Sequence, residues 1–282
     1  MRRVVEDFPK VIQLETSVKC NARCPICPSK YLKREDMSLE FAQSIVDQCV
    51  GRGVEVFHPF GYAEPLVWPS FIELVGYLRE KLPTTQVTLY TNAALLDERT
   101  AQALIDLRIA HVTFSIDGVT AEVYEKQRPP LKFSVVMANT LRFLELNRDA
   151  GNRVGTRAHM TFTDRNRAEV PAFFKYWEGL VDEVTHRECD SRSEQFGGEP
   201  RTYTGCASTE PCAQPFNGMY IWCDGSVGMC CIDSKPETSM GNLHEQSIEE
   251  IWSGPPLQRV RELHNSQRKS QIPLCSTCSV MM

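Results

Sequence analysis

Three cysteines near the start of the chain, in Cys20-Asn21-Ala22-Arg23-Cys24-Pro25-Ile26-Cys27, form a C-x3-C-x2-C run. Thiolates spaced in this way can hold three irons of a four-iron cluster and leave the fourth iron open to another ligand. Structural zinc takes four ligands, usually as two short pairs, and no histidine or fourth cysteine stands close by, so the spacing favours a cluster over zinc. A second set, Cys212, Cys230, Cys275 and Cys278, is separated by 18, 45 and 3 residues. Four cysteines ending in Cys275-Ser276-Thr277-Cys278 mark a metal site, with a zinc knuckle bracing the C-terminus as the alternative to a cluster. If a cluster is held there, four protein ligands close it, which suits electron transfer rather than direct binding of a small molecule.

These residues belong to a chain of 282 residues with twelve cysteines, 42% hydrophobic and 24% charged residues. That composition suits one large or two small globular domains. Disulfides are the weaker use of the cysteines: the chain is long enough to bury a core, and Met1-Arg2-Arg3-Val4-Val5-Glu6-Asp7 puts acids where an export signal needs its apolar stretch. No segment approaches the roughly 18 apolar residues of a membrane span. A cytoplasmic protein with no membrane partner is therefore expected. Lys and Arg number 31 against 36 Asp and Glu, a formal charge of −5. So there is no broad cationic field, and no nucleic-acid partner is expected.

The elements that must position the cysteines read as strands over 11–14, 54–57, 87–90, 111–116, 159–162 and 183–185, each rich in β-branched or aromatic residues. Helical periodicity fills about 38–51, 70–82, 97–108, 133–150 and 167–180, with Ser38 and Asp97 as N-caps and Gly51 and Gly151 as stops. Alternation of strand and helix predicts a parallel sheet, and six repeats fit an open or partial barrel rather than a closed eight-stranded one. The first cysteine run follows the first strand, at the carboxyl edge where such sheets bind ligands. The fold class predicted is α/β: a partial (β/α)6 TIM-like barrel over 1–189, a linker over 190–211, and a small C-terminal α+β hairpin-and-helix domain over 212–282. In that second module, strands at 219–223 and 226–231 flank Asp224-Gly225, read as a two-residue turn that pairs Cys223 with Ser226 and Met219 with Cys230. Strand alternation then turns Cys231 away from Cys230. Ser247 opens a helix with a capping-box spacing to Glu250, and Pro255-Pro256 interrupts it.

With these motifs in place, the chain resembles the radical S-adenosylmethionine (SAM) enzymes along almost its whole length. The resemblance implies that Cys20, Cys24 and Cys27 ligate a catalytic [4Fe-4S] cluster whose open iron binds SAM, reductively cleaved to a 5′-deoxyadenosyl radical. Gly61-Tyr62-Ala63-Glu64-Pro65 looks like the family's Gly-Gly-Glu-Pro element, which implies that Glu64 meets the SAM amino group; Ala63 stands where a second glycine is common. Asn92, in Thr91-Asn92, and Ser115, in Ser115-Ile116-Asp117, resemble positions that approach the sugar and methionine portions of SAM. Arg128 resembles an arginine that pairs with the SAM carboxylate. The C-terminal cysteines resemble the "twitch" domain, a shortened SPASM domain, which implies a second [4Fe-4S] cluster on Cys212, Cys230, Cys275 and Cys278. Cys230 rather than Cys231 is chosen as ligand by that family-like spacing.

The compact plan is similar to that of aminocyclitol dehydrogenases and sugar epimerases of antibiotic biosynthesis. That likeness implies hydrogen abstraction from a hydroxyl- or amino-bearing carbon of a sugar or aminocyclitol, with a flavodoxin or ferredoxin-type electron donor. Dehydrogenation is preferred, because a fully ligated auxiliary cluster is suited to accept the second electron. Epimerisation would instead use Cys231 as hydrogen donor and catalytic residue. Two other readings are modification of a ribosomal peptide, for which the early cysteine run leaves no leader-binding region ahead of it, and a non-enzymatic iron–sulfur electron carrier. His186, Arg187, Arg192 and Arg201 are candidate bases of low specificity, while His58 is read as packed or substrate-facing.

Overall fold

A computed structural model describes residues 2–32, 35–189, 209–233, 238–276 and 278. Arg192, Arg201 and most of the expected linker lie outside the described residues. The chain runs β1 (Val11–Leu14), α1 (Leu39–Asp47), β2 (Val56–His58), α2 (Phe71–Lys81), β3 (Gln86–Thr91), α3 (Glu98–Asp106), β4 (His111–Ser115), α4 (Ala121–Gln127), α5 (Phe133–Asp149), β5 (Gly155–Phe162), α6 (Val170–Trp177) and β6 (Glu183–Glu188). Then come α7 (Gln214–Asn217), β7 (Gly218–Ile221), β8 (Val227–Gly228), α8 (Ile248–Trp252), α9 (Pro255–Asn265) and α10 (Pro273–Ser276).

The expected starts and stops act through identifiable bonds. Ser38 accepts a hydrogen bond from the Phe41 N–H, Asp97 accepts one from Thr100, and Ser247 and Glu250 complete a reciprocal capping box. Gly151 follows the C-cap of α5 at φ 85°, where a side chain would be strained, whereas α1 stops at Asp47 with Gln48 as its C-cap and Gly51, at φ 73°, lies in the turn beyond it. In the barrel, α4 and β5 differ from the sequence reading. α4 was not predicted, because two turns are too short to show a period, yet Thr120 caps it on the Val123 N–H. β5 begins at Gly155 rather than residue 159, because in-register pairing with β4 carries Gly155 and Arg157 despite their weak strand preference.

The eight strands form one sheet in the order β6-β5-β4-β3-β2-β1-β7-β8. β1 to β6 are parallel, β7 is parallel to β1, and only β8 runs antiparallel. The C-terminal hairpin thus extends the core sheet beside β1. Along the strands Ile12, Leu14, Phe57, Val87, Leu89, Val112, Phe114, Ala158 and Met160 are all buried within the main core. Burying each large apolar side chain contributes about 1.5–3 kcal/mol. Intervening positions are polar: Gln13, His58, Thr88, Tyr90, Thr113, Arg157, His159 and Thr161 face the interior of the partial barrel and line its cavity. A parallel sheet covered on both faces would read as continuous apolar strands, so this alternation marks an inner face reserved for a ligand.

The hairpin corrects the expected turn. Tyr220 pairs with Gly228 and Ile221 with Val227, and the Trp222 N–H donates to the Ser226 carbonyl. Cys223-Asp224-Gly225 is therefore a three-residue loop with Gly225 at φ 77°, and Cys223 does not pair with Ser226. β8 ends at Gly228, where a Cβ would collide with the Asp233 carbonyl. Cys230 and Cys231 consequently lie in a turn closed by the Asp233 N–H on the Cys230 carbonyl, and strand alternation does not orient them. Among the described residues no helix is long and apolar enough to cross a membrane.

Candidate active site

The loop after β1 carries Cys20, Cys24 and Cys27 to the rim of a cavity of about 1010 Å³ inside the partial barrel. Cys20 Sγ receives the Ala22 N–H at 3.4 Å and lies 3.9 Å from Asn92 Nδ2, while Cys27 Sγ reaches the Tyr62 carbonyl at 3.7 Å. Burial pushes the Cys20 thiol up to about 11 and the Cys24 thiol up to about 12. Bound iron would overcome that cost, since a coordinating thiol is deprotonated outright. Among the described residues no three His, Cys, Asp or Glu side chains converge tightly enough for one ion. A four-iron cluster takes one thiolate per iron and asks for a wider arrangement.

Beside the cysteines, the loop after β2 is pinned from two directions. Glu15 Oε1 accepts the Tyr62 N–H at 3.0 Å, and Gly61 packs so closely on Glu15 that an added Cβ would lie 2.6 Å from it. Glu64, 3% exposed, accepts from Thr91 Oγ1 at 2.7 Å, from the Asn92 N–H at 2.7 Å and from the Leu66 N–H at 3.3 Å. Burial pushes Glu64 up to about 7, against the lowering effect of those bonds. A carboxylate offers about four acceptor positions, so one remains on Glu64, which lines the cavity. Asn92 is occupied with the cysteine loop, its Nδ2 donating to Asn21 Oδ1 at 2.7 Å.

Ser115 and Arg128 also reach the cavity. Arg128 Nη2 pairs with Asp117 Oδ2 at 2.7 Å, and its Nε is buried without a hydrogen-bond partner. Glu64, Asn92, Ser115 and Arg128 thus all line the cavity that the three cysteines border. His58, expected to be packed or substrate-facing, joins them, together with His159, Tyr90 and Arg157, which the sequence reading did not single out. His58 Nδ1 lies 2.6 Å from Thr88 Oγ1, and His159 Nδ1 lies 2.8 Å from Thr185 Oγ1. These are the same cross-strand pair, since His58 stands opposite Thr88 when the β2–β3 register is continued by one residue, and His159 opposite Thr185. Burial lowers both imidazoles to about 4, so both are neutral near pH 7. Arg157 donates to the Tyr90 hydroxyl at 3.3 Å and pairs with Glu183. Of the base candidates, Arg187 lines the cavity, whereas His186 stacks on Phe162 and packs edge-on to Phe174.

Cys212, Cys230, Cys275 and Cys278 meet around a second, smaller cavity, with burial raising the Cys230 thiol far above its ordinary range and Cys275 to about 12. Cys231 and Gln214 line both cavities, so they form the partition between them. Tyr62 ties the partition to the first cysteine loop: its ring stacks on Trp222 at 5.6 Å and its hydroxyl donates to the Cys231 carbonyl at 2.9 Å. The donor sets fit the groups the sequence implies: three cysteines beside a large polar cavity with a buried, unpartnered Arg128 Nε, and four cysteines around a much smaller one.

A model of the radical SAM superfamily matches residues 14–176, more than half of the chain, and a model of the SPASM iron–sulfur cluster-binding domain matches residues 212–279. The chain belongs to the radical SAM superfamily and is an enzyme of that type, working with SAM, a four-iron cluster and further iron–sulfur binding in its SPASM region. It is similar to the S-adenosyl-L-methionine-dependent 2-deoxy-scyllo-inosamine dehydrogenase of Niallia circulans, 23% identical over 275 residues, 95% of this chain and 92% of that protein. Mycofactocin maturase MftC of Mycobacterium tuberculosis is 29% identical over 170 residues, 59% of this chain and 41% of its own length. Among solved structures, BtrN in complex with AdoMet and 2-DOIA superposes with a TM-score of 0.67 at 19% identity, covering 100% of this chain and 95% of that one. Streptococcus suis SuiB bound to its precursor peptide SuiA superposes with a TM-score of 0.75 at 15% identity, covering 97% and 70%. At these identities the superpositions show a shared fold.

Proposed function

We propose that this enzyme dehydrogenates a hydroxyl- or amino-bearing carbon of a small sugar or aminocyclitol. Cys20, Cys24 and Cys27 would hold the catalytic cluster, and Cys212, Cys230, Cys275 and Cys278 an auxiliary one. When bound, the catalytic cluster and SAM supply hydrogen-atom abstraction, and the auxiliary cluster supplies an acceptor for the remaining electron. The carrying observation is that the two cysteine sets border cavities separated only by a partition that includes Cys231 and Gln214.

The chain's own groups do the rest. Glu64 offers its remaining acceptor position to the SAM amine, Arg128 offers the exposed part of its guanidinium to the SAM carboxylate, and Asn92 and Ser115 border the same cavity. The polar inner face, with Gln13, Thr88, Tyr90 and Thr113, suits a molecule bearing several hydroxyl groups. His58 and His159, neutral and anchored through Nδ1, line the same face as hydrogen-bonding partners for substrate hydroxyl groups. The named activity of the Niallia circulans relative supports this substrate class. A flavodoxin or ferredoxin-type protein would deliver the first electron. Epimerisation is the second reading, favoured by the position of Cys231 on the substrate cavity.

The test is anaerobic turnover of SAM by reconstituted enzyme under dithionite, with and without 2-deoxy-scyllo-inosamine or related aminocyclitols and sugars. Formation of 5′-deoxyadenosine coupled to loss of a polyol is the expected result. Coupling to a peptide and to none of the polyols would refute the reading.

A further inference from the structure

His264 sits in the last turn of α9 with 1% exposure and lines the smaller cavity. Its Nδ1 accepts the Cys212 backbone N–H at 3.2 Å, and its Nε2 lies 3.6 Å from Cys275 Sγ. The first contact decides the second. A neutral imidazole carries one proton, so an Nδ1 that accepts must leave the proton on Nε2, where it points at sulfur. Phe216, edge-on at 6.3 Å between ring centroids, packs against the imidazole.

We infer that His264 donates an N–H···S hydrogen bond to the Cys275 thiolate of the auxiliary cluster and thereby raises the reduction potential of that cluster. The inference rests on the reading above that Cys275 is a cluster ligand. Hydrogen bonds to ligand sulfur stabilise the more electron-rich, reduced state of an iron–sulfur centre, and such outer partners tune a site without binding the metal. Lys269 lines the same wall, its ammonium donating to the Glu210 carbonyl at 2.7 Å, and adds a positive charge that acts in the same direction. His264 is thus a positioning residue, acting through Cys275.

The test uses the full chain with Cys20, Cys24 and Cys27 replaced by Ala, so that the auxiliary cluster alone is titrated by EPR against applied potential. His264→Leu should move the midpoint to more negative potential at unchanged iron and sulfide content, and His264→Gln, which keeps a donor, should recover much of the shift. An unmoved midpoint in a cluster-replete Leu variant would overturn the inference. Should the Leu variant lose its cluster, pulsed EPR of the ¹⁵N-histidine-labelled chain with His264 intact decides. A weak nitrogen coupling together with an exchangeable proton supports the hydrogen bond, whereas ligand-strength coupling or none overturns it. Absence of iron and sulfide from the triple-Ala background would instead remove the auxiliary-cluster reading, and iron content tells the two failures apart.

Discussion

Arg128 reaches Asp117 with Nη2 2.7 Å from Oδ2, an ion pair in which the carboxylate is 1% exposed. The pair joins the residue after α4 to the chain leaving β4, and Asp117 Oδ1 also accepts the Thr161 N–H at 2.8 Å from β5. Burial pushes the Asp117 carboxyl up while Arg128 pulls it down. Arg128 keeps 13% of its side chain exposed and borders the cavity with what Asp117 leaves over, while its Nε is buried without a hydrogen-bond partner.

Removing one member of such a pair strands the other. Arg128→Leu should cost about 3–5 kcal/mol of stability, read from urea unfolding. Arg128→Leu with Asp117→Asn should recover much of that loss while still binding SAM weakly. Full SAM binding by the double variant would show that Arg128 serves the fold alone.

Glu64 gives a pH signature. Its carboxyl is raised to about 7, so its burial favours folding most fully below the ordinary carboxyl value and loses that contribution as pH rises through about 7. SAM, donating an N–H from its amino group, favours the ionised carboxylate as acceptor over the protonated one, so SAM affinity should rise between about pH 6 and pH 8. Glu64→Gln should lose about 1.5–3 kcal/mol of SAM binding at the upper end, roughly ten- to hundredfold. The Gln variant should also lose the Glu64-linked part of the pH rise. Calorimetry on both proteins across the range reads the difference, and identical pH profiles would exclude Glu64 as the amine's partner.

Much of this site was legible because its chemistry sits in short, local motifs. Cys20 to Cys27 and Gly61 to Pro65 are short loops, each contiguous in sequence, that line one cavity, and Ser38, Asp97 and Ser247 announce their helices by local bonds. What escaped depended on contacts between distant strands. The alternation of Thr88 and Tyr90, or of Arg157 and His159, is visible in the sequence, but which face is inner depends on how the sheet curls. The Arg128–Asp117 pair and the two-sided position of Cys231 likewise follow from packing. The hairpin register failed because a glycine after aspartate serves both two- and three-residue loops, and only the Trp222–Ser226 bond chooses between them.

Close packing at Gly61 predicts a stability effect independent of catalysis. Gly61→Ala forces a methyl group onto Glu15 and should cost about 1–3 kcal/mol in chemical unfolding. Wild-type stability in the variant would mean that the loop relaxes freely.

Iron analysis separates the two cysteine sets. Anaerobic reconstitution should give about eight irons and eight sulfides per chain, and joint replacement of Cys20, Cys24 and Cys27 by Ala should leave about half. Stoichiometric zinc with little sulfide would reject the cluster assignments.

Cys231 distinguishes the two fates of a substrate radical. If the enzyme dehydrogenates, Cys231→Ala should still yield the oxidised product, at a rate set by how well Ala fills the partition. If it epimerises, that variant should consume SAM and abstract hydrogen without inverting the carbon.

The central claim is a net two-electron oxidation, and the mass of the product made by wild-type enzyme in deuterated water tests it most directly. The account predicts a product lighter than its substrate by two hydrogens, with no solvent deuterium on the reacting carbon. A product of unchanged oxidation state carrying one deuterium at that carbon would contradict it.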